Sequence, residues 1–137
     1  MIILDTSFVV AFHNARDVHH ARAVEVMTRF LGGEWGRGLL LEYVFLEIVT
    51  VLAARRGQPT ANRVGTLLLE ARELDFVPCS SLFADTLSTF RDQGAGVLSF
   101  VDAAIVTLAR SAAGSVVASF DTDFEGVEGV RLVPGVQ

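Results

Sequence analysis

Short apolar runs alternate along this chain with longer segments in which apolar residues recur every three or four positions. Ile2 to Leu4 is such a run and ends at Asp5-Thr6-Ser7, residue types that cap helices. A buried strand running straight into a helix is the reading, with Asp5 at the strand's C-terminal end. Helical spacing of Ala21, Val24, Met27 and Leu31 predicts a second helix from about Asp17 to Leu31, broken by the glycines between Gly32 and Gly38. Gly38 to Leu41 reads as a strand. Glu42 to Arg56 reads as a strongly apolar helix closed by Gly57 and the turn-forming Pro59, after which Thr60 is expected to cap a helix to about Arg72.

In the second half, Leu74 to Val77 before Pro78 is a predicted strand, Ser81 to Arg91 a helix, and Gly94-Ala95-Gly96 a loop. Ser99 to Ala112 is a predicted helix ended by Gly114, Val116 to Ala118 a strand ending at Ser119-Phe120-Asp121, and Val130 to Val133 a last strand. Strands alternating with helices imply an α/β layer fold with a mainly parallel sheet. Length agrees with a single domain over residues 1–137, since 137 residues can bury a core without disulfides or a structural metal.

Composition narrows the picture. Hydrophobic residues make up 51% of the chain, and its mean hydropathy is +0.47. That is more than a lone soluble domain needs, so an oligomer or a complex is expected to cover part of the surface. The apolar stretch Leu39 to Ala54 contains Glu42 and Glu47 and is short for a bilayer, so it reads as a core helix with no membrane role. The start lacks a basic region and meets Asp5 at once, so no signal peptide is expected and the cytoplasm is the expected location. Cys79, the only cysteine, allows neither an internal disulfide nor a cysteine metal cluster and reads as a buried or neutral thiol.

Four acids carry the candidate chemistry. Asp5 and Asp121 stand at the C-terminal ends of apolar runs, where open parallel sheets place their ligand sites. Turn formation or capping would account for either aspartate alone; two of them at two strand ends point to a site. Glu47 is the only charge between Tyr43 and Ala54, with Tyr43, Val44, Thr50 and Val51 one turn away and no cation to pair with. Asp102 repeats the pattern in the helix from Ser99, although Ser99 and Asp102 are also spaced as a capping box. Gathered together, the four would repel one another unless a cation bridged them. All-oxygen donors favour Mg²⁺ or Mn²⁺ over zinc, and such ions suit phosphodiester hydrolysis. His13, His19 and His20 are close in sequence but no cysteine or distant histidine completes a ligand set, so they read as surface or packing residues.

In order and spacing, Ile3-Leu4-Asp5-Thr6-Ser7, Leu46-Glu47-Ile48-Val49-Thr50-Val51-Leu52, Leu98-Ser99-Phe100-Val101-Asp102-Ala103-Ala104-Ile105 and Ser119-Phe120-Asp121-Thr122-Asp123-Phe124 resemble the motifs of the PIN-domain family, and Asp17-Val18-His19-His20-Ala21 resembles its first loop and helix. The resemblance covers nearly the whole chain. It implies a Rossmann-like parallel sheet flanked by helices, and a Mg²⁺- or Mn²⁺-dependent endoribonuclease with Asp5, Glu47, Asp102 and Asp121 as its catalytic and metal-binding acids. Asp123 matches a further acidic position that could serve only to shape the turn. Within the family the chain is similar to VapC-type toxins, which implies an RNA substrate, a cognate antitoxin and a homodimer.

Net charge is −5, so phosphate contacts would have to come from local arginines, for which Arg16, Arg22, Arg55, Arg56 and Arg110 are candidates. Every basic residue is an arginine. A phospho-accepting signalling domain or aspartyl phosphatase, which also clusters aspartates around Mg²⁺, relies on a lysine that this chain lacks. A PIN-like RNA-binding or RNA-processing module outside a toxin–antitoxin pair is the remaining alternative.

Overall fold

The structure is a computed structural model and describes residues 1–135. Its elements are β1 (Ile2–Leu4), α1 (Thr6–His13), α2 (His20–Leu31), β2 (Gly38–Leu41), α3 (Glu42–Arg56), α4 (Gln58–Glu70), β3 (Leu74–Val77), α5 (Phe83–Asp92), α6 (Phe100–Ser111), β4 (Val116–Ala118) and β5 (Leu132–Val133). Single 3₁₀ turns lie at Ser80–Leu82 and Thr122–Phe124. All strand pairings are parallel, in the order β3-β2-β1-β4-β5.

The apolar runs are the central strands because both sheet faces are covered. Successive side chains of a strand point to opposite faces, and Ile2, Ile3 and Leu4 are all buried, as are Val116, Val117 and Ala118. Helices supply the covering: α1 packs on α2 and α3, α3 on α4, and α5 on α6. Phe8, Val9, Val44, Ile48, Leu52, Ile105 and Phe124 are fully buried among them.

The order of strands sets the position of the site. From β1 the chain moves outward through β2 to β3, then returns across the sheet to pair β4 on the other flank of β1. The direction of winding therefore reverses between β1 and β4, and a crevice opens beyond their C-terminal ends. Leu4 pairs with Ala118 at those ends. The next residues are Asp5, whose amide donates to the Ala118 carbonyl at 3.0 Å, and Ser119.

Besides α5, which starts at Phe83 and not at the expected Ser81 because Ser80–Leu82 forms a 3₁₀ turn, three boundaries differ from the sequence expectation. The second helix starts at His20, because Asp17 forms a turn in which its carboxylate accepts the His19 amide at 2.8 Å and its carbonyl accepts the His20 amide at 3.0 Å. The fourth starts at Gln58, with Gly57 as its N-cap at φ +88° and Pro59 in the first turn, where a missing amide proton costs nothing; Thr60 lies inside the helix. The last strand is shortened to Leu132–Val133, since the Val130 amide turns back to the Val127 carbonyl at 3.1 Å. Among the described residues no helix is long and apolar enough to cross a membrane.

Candidate active site

Asp5 occupies the N-cap position of α1 but does not cap it with its side chain. Its buried carboxylate instead accepts two hydroxyl hydrogen bonds at Oδ2, from Ser119 at 2.6 Å and Ser7 at 2.8 Å. The same hydroxyls carry the neighbouring loop, since Ser119 Oγ accepts the Asp121 amide at 3.0 Å and Ser7 Oγ accepts the Phe120 amide at 3.0 Å. Two serines thus lock the strand end bearing Asp5 to the strand end bearing Asp121.

Asp121 caps the following 3₁₀ turn, its Oδ1 accepting the Asp123 amide at 2.9 Å. Asp102 makes the capping box expected of it: the Ser99 side chain accepts its amide at 3.0 Å while its own Oδ2 accepts the Ser99 amide at 3.1 Å. That cap fixes the acid at the start of α6, where the helix dipole favours negative charge. Asp102, Asp121 and Asp123 each bring a carboxylate oxygen to within 4.8 Å of the other two. Asp5 and Glu47 fall outside that trio. Glu47 is held from the adjoining helix, accepting the Thr6 hydroxyl at Oε1 at 2.7 Å, and Thr6 is the residue after Asp5.

Electrostatics tie Asp5 to the trio. Burial raises its pKa above the ordinary 3.8; hydrogen bonds from Ser119, Ser7 and the Thr6 backbone oppose the rise, and the charge of Asp121 adds to it. Asp102 is also raised, first by burial, with Asp5 and Asp121 contributing and the Ser99 cap opposing. Asp5 is therefore repelled by Asp121, and Asp102 by both Asp5 and Asp121, and a cation would relieve that repulsion.

The crevice has two recesses that meet at Asp121. One, of about 260 Å³, is lined by Asp5, Thr6, Ser7, His19 and Arg55 as well as Asp121. The other, also about 260 Å³, lies against His19, Arg22, Phe120 and Asp121. His19, expected to be a surface or packing residue, packs here by stacking on Phe120 with ring centroids 4.5 Å apart and planes within 5°. His20 is spent on structure, its Nδ1 lying 2.8 Å from the Ala11 carbonyl. Burial and the charge of Arg63 lower the pKa of His13, which lines an apolar groove elsewhere.

A sequence model of the PIN domain matches residues 2–130. The chain belongs to the PIN domain family. Among relatives of this PIN domain, a VapC ribonuclease of Archaeoglobus fulgidus is 28% identical over 54 residues, which are 39% of this chain and 35% of that protein. The match thus spans about a third of the relative's length. Crystalline VapC20 of Mycobacterium tuberculosis, a sarcin–ricin loop cleaving toxin, superposes with a TM-score of 0.79 at 25% identity, covering 96% of this chain and 99% of the other. VapBC2 of Rickettsia felis, bound to a DNA fragment from their promoter, shares the fold with a TM-score of 0.66 at 13% identity over 96% and 97% of the two chains.

The structure adds three hydroxyl residues to this PIN domain's site. Thr6, Ser7 and Ser119 orient acids and do not cap helices with their hydroxyls. The available signal was the pair of segments Asp5-Thr6-Ser7 and Ser119-Phe120-Asp121, each ending an apolar run with hydroxyl and acid together.

Proposed function

We propose that this PIN domain is a divalent-metal-dependent endoribonuclease, the toxin of a VapBC-type toxin–antitoxin pair. The observation that carries the reading is the gathering of Asp102, Asp121 and Asp123 within 4.8 Å beside the buried Asp5 at the sheet's switch point. The donor set is all oxygen, which suits Mg²⁺ or Mn²⁺. Asp5, Glu47, Asp102 and Asp121 are the residues assigned to the metal and to catalysis, and Asp123 is an additional donor. When bound, the ion supplies Lewis-acid polarisation of the phosphodiester and acidification of water.

The chain's own groups do the rest. Ser7 and Ser119 hold Asp5 by its Oδ2, so its carboxylate cannot swing away from the crevice. Thr6 anchors Glu47, and the cap on Asp102 fixes that side chain from Ser99. Arg55, which shares a recess with Asp5 and Asp121, is the phosphate contact assigned to the scissile nucleotide. These restraints preorganise acids whose mutual repulsion would otherwise spread them.

The assembly follows from the same reading. A cognate antitoxin would silence the site by covering the acids, most simply with an arginine or lysine. A second copy is assigned to the surface where Phe83 and Phe90 are exposed while packing on Phe100, itself against Tyr43. Light scattering should give about twice the 14.8 kDa chain mass, and Phe83→Glu should return the monomer; a parent that is monomeric at all concentrations removes the dimer.

The decisive experiment is cleavage of structured RNA by the purified chain. Activity is expected with Mg²⁺ or Mn²⁺, none in EDTA, and none for Asp5→Asn under any condition. Undiminished cleavage in EDTA by the parent, with Asp5→Asn silent so that a contaminating nuclease is excluded, would overturn the metal mechanism. A chain that binds RNA yet never cuts it would be a PIN-like binding module.

A further inference from the structure

One recess of the crevice has no part in the reading above. It lies on the β5 side of Asp121 and is lined by Phe120, His19 and Arg22, with Leu132, Pro134 and the carboxylate-bearing Glu125 also on its wall. Phe120 and His19 stack almost coplanar, 4.5 Å apart. The Arg22 guanidinium lies over the same phenyl ring at 5.9 Å from its centroid. Among the described residues Arg22 makes no ion pair; the two ion pairs present are Arg29 with Glu34 and Arg37 with Asp75. Its charge is therefore placed by an aromatic face and left for a ligand. His19 and Asp121 line both recesses, so the two are contiguous.

We propose that this second recess is the subsite for the nucleotide next to the scissile phosphate, with Arg22 contacting the flanking phosphate and the His19–Phe120 pair providing the aromatic wall against which the sugar or base rests. The inference deepens the ribonuclease reading and rests on it. Its physical basis is charge: a chain of net −5 repels RNA overall, so the strand must be held by cations set beside the acids. Arg55 shares one recess with Asp121, and Arg22 shares the other. Stacked aromatic groups tolerate any base, so the subsite positions the strand and carries little sequence preference of its own.

The test separates Arg22 from the chemistry and from net charge. The probe is a stem-loop RNA with the sarcin–ricin sequence, and the control is Arg63→Ala, which removes an equal charge from an exposed position on α4. Cleavage with Mn²⁺ is measured in the parent chain, and RNA affinity by anisotropy in an Asp5→Asn background at several salt concentrations. Arg22→Ala should raise KM and the dissociation constant about tenfold, the scale of one lost charge-assisted hydrogen bond. It should leave kcat within about twofold and lower the salt slope by about one. Arg22→Lys should recover part of the affinity, and the thermal shift on adding Mn²⁺ should not change.

Other outcomes overturn one idea or the other. If the parent cleaves and Arg22→Ala matches Arg63→Ala, the subsite is wrong and the nuclease reading stands. If Arg22→Ala abolishes the Mn²⁺ shift, the residue is structural and the subsite is wrong. If the parent does not cleave but RNA affinity still depends on Arg22, the nuclease reading fails, the scissile-phosphate subsite falls with it, and Arg22 belongs to an RNA-binding surface only. If RNA affinity is indifferent to Arg22 while binding of an acidic protein partner depends on it, the recess serves that partner and the proposal falls.

Discussion

The hydroxyl of Ser119 sits at the centre of a short chain of polar contacts, donating to Asp5 at 2.6 Å, lying 3.2 Å from the Ser7 hydroxyl and accepting the Asp121 amide at 3.0 Å. Ser119→Ala leaves a buried carboxylate with one donor fewer and a loop amide without its acceptor. It should cost about 1–3 kcal/mol in urea unfolding and weaken Mn²⁺ binding as well. A variant that loses activity with unaltered unfolding and metal response would deny the serine its positioning role. Asp5 also sets a pH dependence. Its folded pKa is raised, as is that of Asp102, so the protonated forms favour the fold below the ordinary 3.8 and that contribution is lost as pH rises through the raised values. In EDTA, the melting temperature of Asp5→Asn relative to the parent should therefore climb from pH 3.5 towards neutrality. A difference that stays flat with pH would contradict the burial of a charged Asp5.

At the scale of elements, β2 begins where an added side chain would force its neighbours to shift. A Cβ on Gly38 would lie 2.5 Å from Leu74 Cδ2 and 2.7 Å from Phe30 Cζ, so α2 and β3 close over the strand's first residue. Gly38→Ala should destabilise by about 1–3 kcal/mol through overpacking while metal-dependent cleavage survives at low temperature. A neutral effect on unfolding would mean that the Leu74 and Phe30 side chains yield freely. The sequence shows Gly38 as the end of a glycine-rich break and the start of a strand but not its crowding, which comes from residues on other elements. The same distinction explains what else was legible. β1, β2 and β4 could be read because strands buried on both faces are uninterrupted apolar runs. The Ser99–Asp102 box could be read because its partners are three residues apart. Asp5 with Ser119 and Glu47 with Thr6 could not, since those bonds join residues 114 and 41 positions apart and exist only once β1 and α3 are placed. The start of α4 was misplaced for a local reason, the positive φ of Gly57, which a sequence does not display.

For the whole molecule the governing quantity is free energy shared between folding and cation binding. Asp102, Asp121 and Asp123 converge near Asp5, an arrangement of like charges that exists only in the folded chain. A divalent cation bound there stabilises the fold by RT ln(1 + [L]/Kd), about 2.7 kcal/mol at a hundredfold excess over Kd. For a chain of this length that corresponds to a melting shift on the order of 10 °C, growing with the logarithm of the Mn²⁺ concentration and reversed by EDTA. Asp102→Asn distinguishes this linkage from capping. Asparagine retains an oxygen to accept the Ser99 amide, so the start of α6 should hold, while one charge leaves the cluster. The metal-free variant should then melt at or above the metal-free parent, because repulsion with Asp5 and Asp121 is relieved. Added Mn²⁺ should raise it by much less than it raises the parent, and RNA cleavage should stop. Were Asp102 only a cap, the variant would melt with an unaltered Mn²⁺ shift and remain active, and the acid would be struck from the metal centre. Thermal melts of both proteins across a Mn²⁺ series, beside one cleavage assay, separate the two, because a cap that asparagine keeps leaves the melting point and the Mn²⁺ shift nearly unchanged, whereas relieved repulsion raises the first and a lost metal ligand shrinks the second.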